Sequence, residues 1–347
     1  VILSRHPHAN PGGSAPVRGY WSGKQVVVPG GAGFIGSSVV DALVACGARV
    51  RVIDDTSSGN WERLAPHADR IDRVQADLTR LPLADTFRDA DAVLNLAGRA
   101  PGLMLDDDRH ERLHRENLAV ADAVLSAALE AEVPRLLVVS SSCVYPDDAP
   151  VPTPELPLEG TEPEAANRGY GLAKREIEAR ATAAHGGGTA ITIARPFNAC
   201  GPRDQARGPG AHVIPSLLGR ILDPAEEEIV VWGSGNQTRS FIDSRDLASG
   251  LLMLAEHHPH PEPVNVGSAE EIAMRDLVAA LMQLAGIDKP TRFDTTKPEG
   301  APRKVCDAGR LRTLTGFRPA FQLTDSLAGI VAAAKGNGRL AAGRSAR

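Results

Sequence analysis

Tyr170 and Lys174 stand four residues apart in YGLAKREIEAR, so on a helix their side chains share one face. An ammonium beside a phenol favours the phenolate. The spacing therefore predicts a tyrosine drawn below its ordinary pKa of about 10 and usable as a general base. Upstream, SSSCVYP ends a strand-like run, RLLVVS, and sets Ser140, Ser141, Ser142 and Cys143 in succession. By chemistry alone, any of the three hydroxyls could hydrogen-bond a substrate oxygen. Cys143 reads in two ways: as a small buried hydrophobe at a strand end, the common fate of a free cysteine, or as a thiol placed for proton transfer.

A second set of residues could hold a dinucleotide. VVVPGGAGFIGSSVVDAL places Gly30, Gly33 and Gly36 after a strand and at the opening of a helix, with Phe34 and Ile35 in the same turn. Glycines there permit a tight turn, let a pyrophosphate approach backbone N–H groups, and allow close helix–sheet packing. Asp54, roughly twenty residues on and at the end of the second strand, can bind a ribose 2′-hydroxyl. Its carboxylate would repel a 2′-phosphate, which favours NAD over NADP. Asp77, followed by Leu78 after the third strand, could meet the adenine or be a plain loop carboxylate.

These groups need elements to position them, and the chain supplies short apolar runs alternating with helix-length segments. QVVVPG, ARVRVID, DRVQADL, DAVLNLAG, RLLVVSSS and AITIARPFN read as strands, with helices from Gly33 to Cys46, over ERLHRENLAVADAVLSAALEAE and over YGLAKREIEARATAAH. The pattern predicts an α/β fold: a Rossmann-type, doubly wound parallel sheet with a smaller α/β C-terminal substrate lobe. The expected boundaries are a flexible extension over 1–23, a dinucleotide-binding domain over 24–198 with a return segment over 238–266, a lobe from 199–237 and 267–334, and a flexible tail over 335–347. His110 and His114 share helical spacing and read as a solvated face, and HHPHPEP reads as a surface loop with no metal site.

Composition narrows the function classes. A net charge of −5 without long runs offers no footprint for nucleic acid or an anionic membrane surface. No apolar run reaches the roughly 18 residues of a membrane span, and the amino-terminal stretch lacks a signal-peptide pattern, so the reading is cytoplasmic. The four cysteines, Cys46, Cys143, Cys200 and Cys306, lie far apart without a CxxC pair, which signals neither a zinc site nor a disulfide framework.

In this order of motifs the chain resembles the extended short-chain dehydrogenase/reductase superfamily, specifically its nucleotide-sugar epimerases and dehydratases. The resemblance runs from residue 24 to 330 and rests on GGAGFIG, Asp54, SSSCVYP, YGLAK, RPFNACGP and WGSGNQTRSFIDSRDLA. It implies that Ser141 completes a triad with Tyr170 and Lys174, and that Asn117 braces the active-site backbone. Alanine-rich helices around 116–131 and 170–184 resemble those that form a dimeric four-helix bundle in this superfamily, which implies a homodimer.

Within the superfamily, SSSCVYP is similar to stretches of the GDP-fucose synthase and GDP-mannose 3,5-epimerase families, both of which use a cysteine here as an acid/base beside the sugar ring. AHVIPSLLGR resembles the synthase segment whose second acid/base maps to His212, and KPEGAPRK and WGSGNQTRSF also have counterparts in these GDP-sugar families. The chemistry suits the pairing, because a C4 ketone acidifies the protons on C3 and C5. A thiol with a pKa of about 8.5 and an imidazole of about 6.5 both exchange protons near neutrality. The resemblance further implies Ser142, Asn198, Arg220, Trp232, Arg239 and Lys304 as ligands of a GDP-hexose. With Asp54 present, the expected activity is an internal NAD redox cycle, that of a GDP-mannose 3,5-epimerase yielding a GDP-L-galactose type sugar. A GDP-fucose synthase-like 3,5-epimerase/4-reductase and a UDP-sugar 4-epimerase are the alternatives.

Overall fold

Val26, Val27 and Val28 are all fully buried, as a strand covered on both faces requires. A computed structural model of the chain describes residues 18–100, 107–204, 212–297 and 299–344. Its first half runs α1 (Arg18–Trp21), β1 (Gln25–Pro29), α2 (Phe34–Ala45), β2 (Arg49–Asp54), β3 (Ile71–Gln75), α3 (Leu83–Phe87), β4 (Ala92–Asn95), α4 (Asp107–Glu130), β5 (Arg135–Val139), α5 (Arg168–Ala184) and β6 (Ala190–Pro196). Next come β7 (Ala199–Cys200), α6 (Val213–Leu222), β8 (Ile229–Trp232), β9 (Thr238–Ser240), β10 (Ile242–Asp243), α7 (Ser244–His257) and β11 (Val264–Val266). β12 (Glu271–Ala273), α8 (Met274–Ala285), β13 (Thr291–Asp294), β14 (Arg303–Lys304), α9 (Gly309–Thr315) and α10 (Leu323–Arg344) complete the order.

Seven strands form the central sheet in the order β11-β6-β5-β4-β1-β2-β3, every pairing parallel. This is the Rossmann-type sheet expected from the alternating runs. Because side chains alternate along a strand, Val26 and Val28 pack with Val39, Leu43, Leu247 and Leu251, while Val27 packs with Val93, Val124 and Ile177 on the opposite face. The strand order reverses between β1 and β4, which opens a crevice at their carboxyl ends. A third core holds the lobe, where Ile214, Leu217, Leu218 and Ile221 of α6 meet Ile229, Leu277 and Leu281.

The expected boundaries shift in three places. Trp21 is fully buried in the sheet's core, so the turn before β1 belongs to the fold and is not part of an extension. Helix α10 continues to Arg344 where a tail was expected; residues 1–17 and 345–347 lie outside the described residues. β9, at the start of the expected return segment, pairs instead with β12 and β14 in the lobe, and only β10, α7 and β11 return. The histidines also differ from expectation: His114 Nε2 pairs with Glu176 at 3.3 Å and His110 Nδ1 accepts from Gly169 N at 3.1 Å, so both tie α4 to α5. Among the described residues, no cluster of His, Cys, Asp or Glu could hold a metal, and no helix is long and apolar enough to cross a membrane.

Candidate active site

The crevice begins at the glycine-rich turn between β1 and α2. Gly30 has φ +77°, and a Cβ there would meet Ala97 N at 2.6 Å; a Cβ on Gly36 would stand 2.1 Å from Gly30 O. The turn can close only with glycine at both positions. Gly33 caps α2 without a side-chain hydrogen bond, which leaves the helix opening at Phe34 and Ile35 to receive an anion. Asp54 buttresses the turn, accepting from Ala32 N at 3.0 Å and from Thr56 N at 2.8 Å. Burial raises its pKa against the pull of these bonds. Asp77, half-exposed, accepts from Thr79 and pairs with Arg80, while Leu78 is buried beside it. The cradle that side chains would fill and the acid at the end of β2 fit a dinucleotide.

At the end of β5 the three serines separate by role. Ser140 donates to Glu178 at 2.5 Å in a buried network. Ser141 caps the 3-10 turn Ser142–Val144, accepting from Cys143 N at 3.1 Å, and its hydroxyl is near enough to Tyr170 to oppose the rise of the phenol's pKa. Ser142 lines a pocket with Glu164 and Lys304. Lys174 donates to Val139 O at 2.7 Å and lies 5.4 Å from the Tyr170 ring centroid. The expectation that Lys174 lowers the Tyr170 pKa is reversed. Burial pushes the phenol well above its ordinary value, and the neighbouring Cys143 adds to the rise. Burial also draws Lys174 down to about 8, opposed by Glu178. Asn117 braces the adjoining loop, accepting from Arg99 N at 3.0 Å and donating to Arg99 O at 3.1 Å.

Cys143 faces a buried ion pair that sequence reasoning did not foresee. Glu164, in the loop before α5, accepts from Lys304 Nζ at 2.9 Å and from Asn167 at 3.0 Å, and its N–H donates to Cys143 O at 3.3 Å. Burial works against its charge, yet Lys304 holds the Glu164 carboxyl at about 2. Burial pushes Cys143 up to about 11, with Lys304 pulling down and Glu164 pushing up. Arg239, itself desolvated, is attracted to Glu164 and Glu299 and donates to Thr238 O and Ala301 O, both at 2.8 Å.

The structure thus brings Ser141, Ser142, Cys143, Tyr170, Lys174, Lys304 and Arg239 into one chain of neighbours at the end of β5, of which Ser142 and Lys304 line a pocket. His212 stands instead at the start of α6, with Nδ1 at 2.9 Å from Asp204 and its ring 6.2 Å from that of Phe34. Asn198 donates to Ser240 O at 3.0 Å and Arg220 to Val230 O at 2.8 Å. Trp232 is 37% exposed at the end of β8.

The NAD dependent epimerase/dehydratase family model matches residues 26–267. The chain belongs to this family. As an enzyme of the epimerase/dehydratase family it uses NAD, and the glycine turn, the opening of α2 and Asp54 are the groups that would hold it. The chain is 31% identical to GDP-L-fucose synthase 1 of Arabidopsis thaliana, over 87% of this chain and 90% of that one. It is 30% identical to a dTDP-4-dehydro-6-deoxy-D-allose reductase of a Streptomyces species, over 86% and 93%. Among solved structures, the UDP-N-acetylglucosamine 4-epimerase of Methanobrevibacter ruminantium M1 superposes with a TM-score of 0.79 at 25% identity, covering 91% of this chain and 99% of that one. All three relatives act on nucleotide sugars by name.

Two carboxylates of this epimerase/dehydratase site escaped sequence reasoning. Glu164 is separated by 140 residues from its partner Lys304, so no local spacing betrays it. Asp204 lies eight residues before His212, and a carboxylate close upstream of a candidate acid/base was the available signal.

Proposed function

We propose that the chain is a nucleotide-sugar epimerase, specifically a GDP-hexose 3,5-epimerase that works beside a transient C4 ketone. The observation that carries this reading is the position of Cys143: its N–H donates to the Ser141 hydroxyl at 3.1 Å and its thiol is electrostatically coupled to Tyr170, so a carbon acid/base adjoins the group that relays the alcohol's proton. A plain alcohol oxidation and reduction needs no such thiol.

NAD, when bound, supplies hydride removal at C4 and its return. Ser141 orients the C4 hydroxyl and Tyr170 relays its proton, releasing its own phenolic proton as it takes the alcohol's. Lys174, at about 8, is partly neutral at mildly alkaline pH and can pass that proton on. With the ketone in place, Cys143 exchanges a proton at the neighbouring carbon. His212, whose Nδ1 is tied to Asp204, offers Nε2 for the second exchange. Arg239 suits the diphosphate because a guanidinium makes paired charge-assisted hydrogen bonds. Asn198, Arg220 and Trp232 would complete the nucleotide end. The alanine-rich helices α4 and α5, which pack side by side, would supply the face for a homodimer.

The test is incubation of the purified protein with GDP-mannose in deuterium oxide without added nicotinamide. Deuterium at C3 or C5 in a new GDP-hexose is the expected result; no exchange removes GDP-mannose as substrate. The relatives named GDP-L-fucose synthase and dTDP-4-dehydro-6-deoxy-D-allose reductase favour a second reading, a 4-reductase of a keto sugar. Net consumption of reduced nicotinamide with a 4-keto-6-deoxy sugar would establish it. In a UDP-sugar 4-epimerase, Cys143 and His212 would both be dispensable.

A further inference from the structure

We propose that Glu164 is a positioning residue for Cys143: its carboxylate, paired with Lys304 and pinned to the cysteine's own turn, opposes loss of the thiol proton and makes Cys143 the proton-donating member of the acid/base pair. The inference deepens the epimerase reading and rests on Cys143 being an acid/base there.

The geometry is specific. Glu164 N donates to Cys143 O at 3.3 Å, so the loop before α5 is pinned to the cysteine's own turn. Helix α5 closes on the same carbonyl, since a Cβ at Gly171 would stand 2.6 Å from Cys143 O. Lys304 Nζ and Asn167 Nδ2 both bind Glu164 Oε2, and the carboxylate is electrostatically coupled to the thiol. The side chains of Lys304 and Glu164 are only 15% and 16% exposed, so water screens the pair weakly. The charged and titratable groups around Cys143 are Glu164 from its loop, Lys304 from β14, Tyr170 and Lys174 from α5, and Arg239 behind Glu164 from β9.

Burial and the anionic carboxylate beside it both oppose a thiolate, so Cys143 rests protonated and cannot begin as the base. Donation breaks the S–H bond and leaves its electron pair on sulfur, while the electron pair of the substrate enolate forms the new C–H bond. The thiolate then faces the Lys304 ammonium, and solvent reprotonates it after product leaves.

The test needs no substrate. Alkylation of the Cys143 peptide by iodoacetamide, followed by mass spectrometry at mildly alkaline pH, reports the thiolate fraction. Glu164→Gln removes the opposing charge and is expected to speed alkylation roughly tenfold or more, a tenfold rise being one pKa unit. Lys304→Met opens the same pocket but removes the attracting charge, and is expected to slow it. An unchanged rate in Glu164→Gln overturns the proposal, and so does acceleration in both variants, which would mean that the pocket had merely opened. Bound NAD and circular dichroism check the fold. Should Glu164→Gln fail to fold, Glu164→Asp withdraws the charge by one methylene and must also speed alkylation. Full inversion retained in Cys143→Ala would sink the epimerase reading and leave the alkylation result standing, so the two failures are distinguishable.

Discussion

His212 Nδ1 lies 2.9 Å from Asp204 Oδ1 and 3.0 Å from Oδ2, so one ring nitrogen is committed to a carboxylate whose own side chain is only 4% exposed. The hydrogen bond raises the imidazole pKa, and burial pulls it the other way.

Asp204→Asn removes the first influence and leaves the second. We expect His212 to titrate lower than in the parent, as read by NMR of the ring protons. The sign for stability follows from the raised folded pKa. The pairing stabilises the fold fully below the unfolded value of about 6.5, and its contribution is lost as pH rises through the higher folded value. Denaturation midpoints of parent and variant will therefore differ more at acid pH than at alkaline pH.

Cys143→Ala is expected to abolish inversion at the carbon it serves while leaving hydride removal at C4 measurable. Loss of a positioned acid/base is worth about a hundredfold to ten-thousandfold in rate. The check is the configuration of the product sugar by NMR beside the absorbance of reduced nicotinamide on the protein.

Glu178 and Arg195 form a buried pair at 2.6 Å, with side chains 8% and 5% exposed, and Arg195 continues to Tyr145 OH at 3.0 Å. Glu178→Gln strands the guanidinium charge and turns an NH2 donor toward Arg195, while the remaining oxygen can still accept from Ser140. A loss of about 3–5 kcal/mol is expected for breaking such a pair, measurable by denaturant unfolding.

Gly36→Ala forces a methyl against Gly30 O. The turn must shift, at about 1–3 kcal/mol for an overpacked site. We expect the variant to be purified with less bound NAD than the parent, as measured by release of the nucleotide on denaturation.

What the sequence made legible was local. Gly30, Gly33 and Gly36 with Asp54 announce their turn because the spacing itself is the geometry, and Tyr170 with Lys174 meets through one helical repeat. The Cys143 environment was hidden, since Glu164 reaches it from a loop and Lys304 from β14, the pair joined only by folding. The Tyr170 pKa was misread for a related reason: adjacency on a helix names the lysine but not the burial that outweighs it. Trp21 was hidden within a Pro- and Gly-rich stretch whose composition masks its burial.

The three tryptophans sit at graded depths: Trp21 fully buried, Trp61 intermediate and Trp232 exposed. Each therefore offers a different optical signal. Trp21, edge-on to Tyr20 at 4.9 Å, will emit to the blue and resist aqueous quenchers, and so report whether the amino-terminal turn is seated. Trp232 will emit to the red and yield to iodide, so shielding of that red component on adding a nucleotide would reveal occupancy of the lobe without any turnover.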